Sequence, residues 1–450
     1  MNLQWEADMP AACSGLTLTM THDQSGKPYL YVANKEAGLT VYDLSTPSFP
    51  TQVASIPLAQ LDSLQVMNLS QYGDYIYLAT GTHFNNNESS GMAIVNVSDP
   101  VSPVVTATWK HPTGTGGSGI VKVEDNMAYL GAMGNGLVLL DVTNKDSIRL
   151  VSTFIPDINW PVNNPTASLY NARGMVVQDS IVYLCYDAGG LRIINCTDPL
   201  HPRETGRYCN PVMYTPINRP RAYNNIVIRD TLAYVTVDYC GLEVIDIRDT
   251  SIMTLAGWWN PYDCPNNNWF TSPSHANEIA LDTTCNRLYL STGKSDLMVL
   301  DISDPTTPDS CNFYGGADNN IGTWGVSLYD HHIYLSYICT LGVPFASNWS
   351  GIKSLVFDPC ITSTQNMEKP LTGLTIYPNP MHDDVNVECI GCGQAQEIRV
   401  LDVTGKEIGT IRLEQGKGKL HMAGLTDGIY FLVSKDTEQR IHEKIVHMTR

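Results

Sequence analysis

Three residues near the middle of the chain have side chains able to do chemistry together: Arg173, His275 and Glu278. A guanidinium can clamp a carboxylate or phosphate through paired N–H donors, and an imidazole with a carboxylate three residues on can hold a metal or act as base and acid. His-x-x-Glu is a short pattern, and a satisfied polar pair is its plain structural counterpart. No Gly-x-Ser-x-Gly, His-Glu-x-x-His, phosphate loop, EF-hand loop or dinucleotide fingerprint occurs in a usable context. No cofactor, metal or catalytic residue is therefore assigned. The His331-His332 pair falls at a turn between strands and is expected to be solvated.

Positioning those groups falls to a repeat. A Tyr inside an apolar run recurs at 31, 77, 129, 183, 234, 289 and 334, a mean period of about 50 residues, which is typical of solenoids and propellers. Ile181 to Tyr208 shows the unit well: an apolar run, a Gly turn, a second apolar run ending in Asp or Asn, a Ser/Thr-Asp-Pro stop, then an aromatic. Tyr to Asp/Asn is 12 residues in five copies, as from Tyr183 to Asn195. A further 13 residues reach Ile56, Trp109, Phe154, Tyr208, Trp259 and Tyr314. Such constant offsets require a shared backbone.

Each copy reads as four short strands, for example Gly174 to Gln178, Ile181 to Tyr186, Leu191 to Cys196 and a fourth leading to Tyr208. Third strands such as LTVYDL, LVLLDV and LEVIDI are apolar at most positions rather than alternate ones, so both of their faces are buried. Radially stacked four-stranded sheets provide that burial, and the expectation is an all-β, seven-bladed β-propeller. The closing Asp or Asn can bond its own backbone and stop the strand, which makes these acids structural. The seventh copy ends early, at Phe357-Asp358-Pro359-Cys360. Residues 2 to 8, with Gln4-Trp5 resembling the ends around Trp109 and Trp259, are expected to complete blade seven and cover its edge.

Aligning the first strands sets Ser14, Ser118, Arg173, Asn224, Asn277 and Trp324 at one point near the channel mouth, with His275 and Glu278 close by. Arg173, Asn224, His275, Asn277, Glu278 and Trp324 form the candidate binding site. Long connections carry rings and Asn: Ile155 to Ala172 with Trp160 and Tyr170, Asn210 to Ala222 with Tyr214, and Asn260 to Ala276 with Trp269 and Phe270. Insertions Thr82 to Ser90 and Thr340 to Ser350 add Phe84, Asn85, Phe345 and Trp349. Rings beside amides suit sugars or extended peptides, and equally suit packing of the loops on themselves.

A formal charge of −18 argues against nucleic-acid binding, which needs basic patches. No apolar run is long enough to span a bilayer. Met1 to Pro10 has neither a basic start nor an apolar core, so if the protein is exported its signal peptide is absent from this sequence. Twelve cysteines are scattered rather than spaced as metal knuckles, so disulfides are open but their partners are not readable. Cys185 and Cys196, in apolar runs, also fit as small buried hydrophobes.

Leu191-Arg-Ile-Ile-Asn, Leu242-Glu-Val-Ile-Asp and Leu297-Met-Val-Leu-Asp resemble the LVIVD-type repeats of bacterial and archaeal surface proteins, and the resemblance covers residues 1–360. It implies a propeller and brings no settled activity. After a polar linker at 361–371, residues 372–450 read as a small β-sandwich of alternating strands and Gly turns. Tyr377-Pro378-Asn379-Pro380, Asp402-Val-Thr-Gly405, Gly428-Ile-Tyr430 and Lys444-Ile-Val446 resemble, in order, the motifs of the type IX secretion system C-terminal sorting domain. That resemblance implies engagement of the secretion machinery and a protein secreted from, or anchored on the outer surface of, a Gram-negative bacterium. The reading is then a recognition protein with an extracellular glycan or protein ligand, expected to be monomeric. The alternative is an extracellular hydrolase or lyase acting at the channel mouth through Arg173, His275 and Glu278.

Overall fold

The seven copies become seven sheets of four antiparallel strands. The computed structural model describes residues 3–12, 19–82, 87–163, 165–214, 222–315, 321–339, 347–357, 373–377, 384–390, 395–402, 406–414, 416–421, 425–434 and 442–447. The chain divides into two compact units, Met1–Ile361 and Thr362–Arg450.

Blade four shows how residue types make a blade. Its strands are Met175–Gln178, Ile181–Cys185, Leu191–Asn195 and Arg203–Tyr208. Leu191 to Ile194 are all buried, as a strand covered on both faces requires. Asn195 ends the strand by accepting the Thr197 backbone N–H at 2.9 Å. Asp43, Asn96, Asp141, Asp246 and Asp301 close the same turn two residues on. These acids are strand terminators, and the recurring apolar residue of the fourth strand has an equally fixed place. Ile56, Trp109, Phe154, Tyr208, Trp259 and Tyr314 pair with Leu39, Met92, Leu137, Leu191, Leu242 and Leu297, near the start of each third strand.

The core lies between blades. Tyr31 of blade one packs with Val66 and Ile76 of blade two, and Tyr129 of blade three with Met175 and Val182 of blade four. Blade seven's Tyr334 packs with Leu30 and Val32 of blade one, which closes the circle. Burying an aromatic side chain this completely contributes on the order of 2 kcal/mol, so each signature Tyr ties two neighbours together.

Blade seven consists of Gly322–Tyr329, His332–Ile338 and Ser350–Phe357, with Leu3–Ala11 hydrogen-bonded along the last of these. The leading segment thus fills the missing fourth strand, but in a different register from the one the sequence suggests. Met9, not Trp5, lies opposite Ile352, the place that Trp109 and Trp259 take in their blades. Trp5 faces Leu355, is 53 % exposed and donates its indole N–H to Asp8. A register shift between Trp5 and Ala7 offsets the strand. Nor is His332 simply solvated: its Nε2 pairs with Glu6 at 3.2 Å, a further tie between the latch strand and its blade.

In the second unit, Gly373–Tyr377, Asp384–Ile390, Ala395–Leu401, Glu407–Glu414, Lys417–His421, Gly428–Ser434 and His442–His447 form one seven-stranded sheet. Val387 of its second strand and Leu432 of its sixth share one apolar cluster although three strands separate them in the sheet. A flat sheet would hold them about 19 Å apart. The sheet is therefore curled around a core, and this is the small sandwich. Pro378, Asn379, Pro380 and Gly405 lie outside the described residues. Tyr377 ends the first strand, Gly428 opens the sixth and Lys444 lies in the last. Buried Tyr430 donates its hydroxyl to the Thr426 carbonyl at 2.7 Å.

Candidate functional site

The channel mouth is built by a device repeated between blades. After its second strand each of four blades carries a left-handed residue, Lys35, Met133, Asp187 or Asp238, which bridges to Val66, Ala172, Tyr223 or Ala276 at the start of the next blade. The residue after each bridge, namely Met67, Arg173, Asn224 and Asn277, lines the central cavity together with Glu278 and Trp324. Close approach here requires glycine: a Cβ on Gly174 would lie 2.5 Å from the Asn224 carbonyl oxygen.

Five of the six candidate residues thus meet in one place, and their roles differ. Asn224 donates to the Ala276 carbonyl at 2.8 Å, and Asn277 reaches the Thr323 carbonyl at 3.5 Å, so both amides stitch neighbouring blades. Arg173 and Glu278 line the lumen beside them. The cavity between them is about 20 Å³, room for a water and no more. Burial pushes the Glu278 carboxyl up to about 7, against the pull of Lys122, a hydrogen bond from Asn225 and Arg173. Burial likewise lowers the Lys122 ammonium, with Glu278 opposing.

His275 does not join them. Its Nδ1 lies 2.5 Å from Asp238 Oδ1, and its ring is packed on Trp269 and Tyr239. Asp238 Oδ2 in turn accepts the Trp269 indole N–H at 2.8 Å. The Cys240–Cys264 disulfide fastens the same loop to the turn beside Asp238. The expected acid–base trio of Arg173, His275 and Glu278 is therefore not assembled, because the imidazole is engaged by its neighbouring blade's turn. Among the described residues no group of three or more His, Cys, Asp or Glu is placed to hold a metal.

The loop rings mostly pack the loops. Tyr170 is buried against Tyr186, half-buried Trp349 lies against Tyr337 and Lys353, and half-buried Trp160 lies beside the guanidiniums of Arg192 and Arg207. Phe270, 52 % exposed, meets Trp269 edge-on. Phe84, Asn85 and Phe345 lie outside the described residues, as does Ser14.

Ser118 is displaced by one position from the expected ring. It is buried, with its hydroxyl on the Gly91 backbone, and Gly119 lines the cavity instead. In five of the seven copies, counting ten residues back from the signature Tyr gives a cavity residue, Met67, Gly119, Arg173, Asn224 or Trp324, so that offset would have found both Met67 and Gly119. Also missed was a second, wider pocket of about 360 Å³ at the same mouth, formed by Thr115, Gly116, Met133, Gly134, Ser168, Asn171 and Arg173. Asp187 stands behind it, held by the Asn171 amide at 2.8 Å; burial pushes its carboxyl up to about 6 despite Arg173 nearby. Arg173 makes no side-chain hydrogen bond, and no ion pair within 4.0 Å, among the described residues.

Comparison with known proteins fits this architecture. The LVIVD repeat matches residues 25–56, 65–109, 115–155, 221–260 and 286–314, and the secretion system C-terminal sorting domain matches 375–448. No curated protein matches the chain. Among solved structures, the Cps50 (Swd1) β-propeller domain of Myceliophteria thermophila aligns with TM-score 0.52 and 9 % identity over 79 % of this chain and 100 % of that one. The C-terminal WD40 domain of Sif2 aligns with TM-score 0.50 and 12 % identity over 80 % and 99 %. PorZ, a bacterial surface component of the type IX secretion system of Porphyromonas gingivalis, reaches TM-score 0.42 with 11 % identity over 95 % and 65 %, too slight to bear on function. The fold is that of a β-propeller destined for export. The chain is an LVIVD-repeat propeller with a type IX sorting domain, and that domain implies contact with the secretion machinery and a secreted or outer-surface location. Among the described residues no helix is long and apolar enough to cross a membrane.

Proposed function

We propose that this is an exported recognition protein whose propeller meets an extracellular glycan or protein ligand at the channel mouth. The observation that carries the reading is Arg173: it lines both the central cavity and the wider pocket at the mouth, with its donors unspent on other side chains. A guanidinium held by a rigid inter-blade bridge and open to a pocket is a preorganised donor for a ligand oxygen. For the hydrolase or lyase reading, His275 is 1 % exposed beside Asp238 and is not among the residues that line the cavity, and Glu278 faces a space of one water. Retention at the surface or release after sorting is compatible with either ligand.

The test is a glycan and peptide array probed with the full chain. Specific hits that weaken when Arg173 is replaced by Gln support the reading, and blank arrays overturn it.

A further inference from the structure

The pocket between blades three and four has a chemistry more particular than general adhesion. Asn171 spends both amide hydrogens, on the Ser168 carbonyl at 3.0 Å and on Asp187 Oδ2 at 2.8 Å, leaving its carbonyl oxygen as an acceptor. Thr115, Ser168 and Arg173 line the same pocket, and Arg173 is shared with the narrow central cavity. Among the described residues of the lining, Met133 supplies the only apolar side chain. A peptide that anchors through several apolar side chains or by extending a sheet edge finds neither here, and an acidic peptide, which an Arg can also hold, is the rival ligand that the test measures. A compact ligand with one carboxylate and several hydroxyls suits a lining of one guanidinium, two hydroxyl-bearing residues and an amide oxygen. At about 360 Å³ the space falls in the range of small-molecule sites, about 300–1,000 Å³.

We propose that this pocket takes a single uronic-acid residue of a glycan, its carboxylate paired with Arg173 and its hydroxyls with Asn171 Oδ1, Ser168 and Thr115. The proposal rests on the reading of the mouth as a recognition face. The chain's net charge of −18 repels long polyanions, so a terminal uronate enters better than an internal stretch of an acidic polymer.

Titration calorimetry on the full chain tests this with trigalacturonate, its methyl ester and an acidic peptide as probes. Trigalacturonate is expected to bind, with the ester and the peptide at least tenfold weaker. Arg173→Gln is expected to weaken trigalacturonate at least tenfold while the chain keeps its folded circular-dichroism spectrum. Ser168→Ala, which touches only the pocket wall, is expected to weaken it several-fold. Equal binding of the methyl ester, preference for the peptide, or affinity unchanged in Arg173→Gln would each overturn the uronate assignment. If other glycans or peptides bind on an array while trigalacturonate does not, this proposal fails and the recognition reading stands. If nothing binds, both fall.

Discussion

Arg192 and Glu243 occupy the same position in neighbouring blades, second in the third strand, and each reaches into the long connection that leads into its own blade. Arg192, fully buried, donates to both Glu204 carboxylate oxygens and to the carbonyls of Gly189, Asp157 and Trp160. Glu243, also fully buried, accepts from Asn210 and from the Tyr223 hydroxyl, each at 2.7 Å. Opposite charges thus do one job: they fix the loops that frame the mouth to the rigid blades behind them.

Replacing Arg192 with Ala should cost about 3–5 kcal/mol, because it takes the main donor from the mostly buried Glu204 carboxylate, leaving it only the longer Arg207 contact, and from three carbonyls. Arg192→Met should cost less, since it keeps the packing. Denaturant unfolding measures both. Hydrogen exchange should show protection falling first in residues 155–172; unchanged protection there would contradict the clamp.

Burial pushes the Glu243 carboxyl up from its ordinary range to about 7. Between the unfolded and folded values the native state binds the extra proton, so this group's contribution to stability is greatest in acid and is lost as pH rises through about 7. The shift corresponds to about 3 kcal/mol. Glu243→Gln should therefore flatten the decline in stability between pH 5 and pH 8, and Tyr223 and Asn210 keep a polar partner. A variant with the same pH slope as the parent would show that Glu243 is not the group responsible.

The fold was legible because offsets from the signature Tyr are constant, and a fixed spacing between Tyr, Asp and aromatic leaves little choice of backbone. The site was legible where it depends on that same count, as with Arg173, Asn224 and Trp324. It was not legible for His275, whose partner Asp238 lies 37 residues away on another blade's turn. Arg192 and Glu243 did leave a signal, a charge inside an otherwise apolar strand. Which loops they hold depends on tertiary contacts that no local pattern encodes.

The Cys240–Cys264 bridge closes a loop of 24 residues and fastens the segment that carries Trp269 and His275. Loop-closure entropy puts its contribution at about 3 kcal/mol. Cys264→Ser should lower the melting temperature by several degrees, and reductant should then have less further effect than on the parent. Cys285 and Cys339 are disulfide-bonded as well, so reductant should still shift the variant somewhat. A parent-like melting curve for Cys264→Ser would mean that Asp238 and its partners hold the loop without the bridge.

The latch strand separates two registers by experiment. Met9 is 9 % exposed and packs with Met20 and Leu30 of blade one, whereas Trp5 is 53 % exposed. Met9→Ala should cost about 2–5 kcal/mol, the range for deleting a buried side chain. Trp5→Ala should cost well under that, because most of the ring already faces water. Deleting residues 1 to 11 should lower the melting temperature further and promote association, since the Ser350–Phe357 strand would lose its partner and present an open edge. If Trp5→Ala proved the more damaging substitution, the strand would lie four residues out of the register described, with Trp5 taking the place of the fourth-strand aromatic.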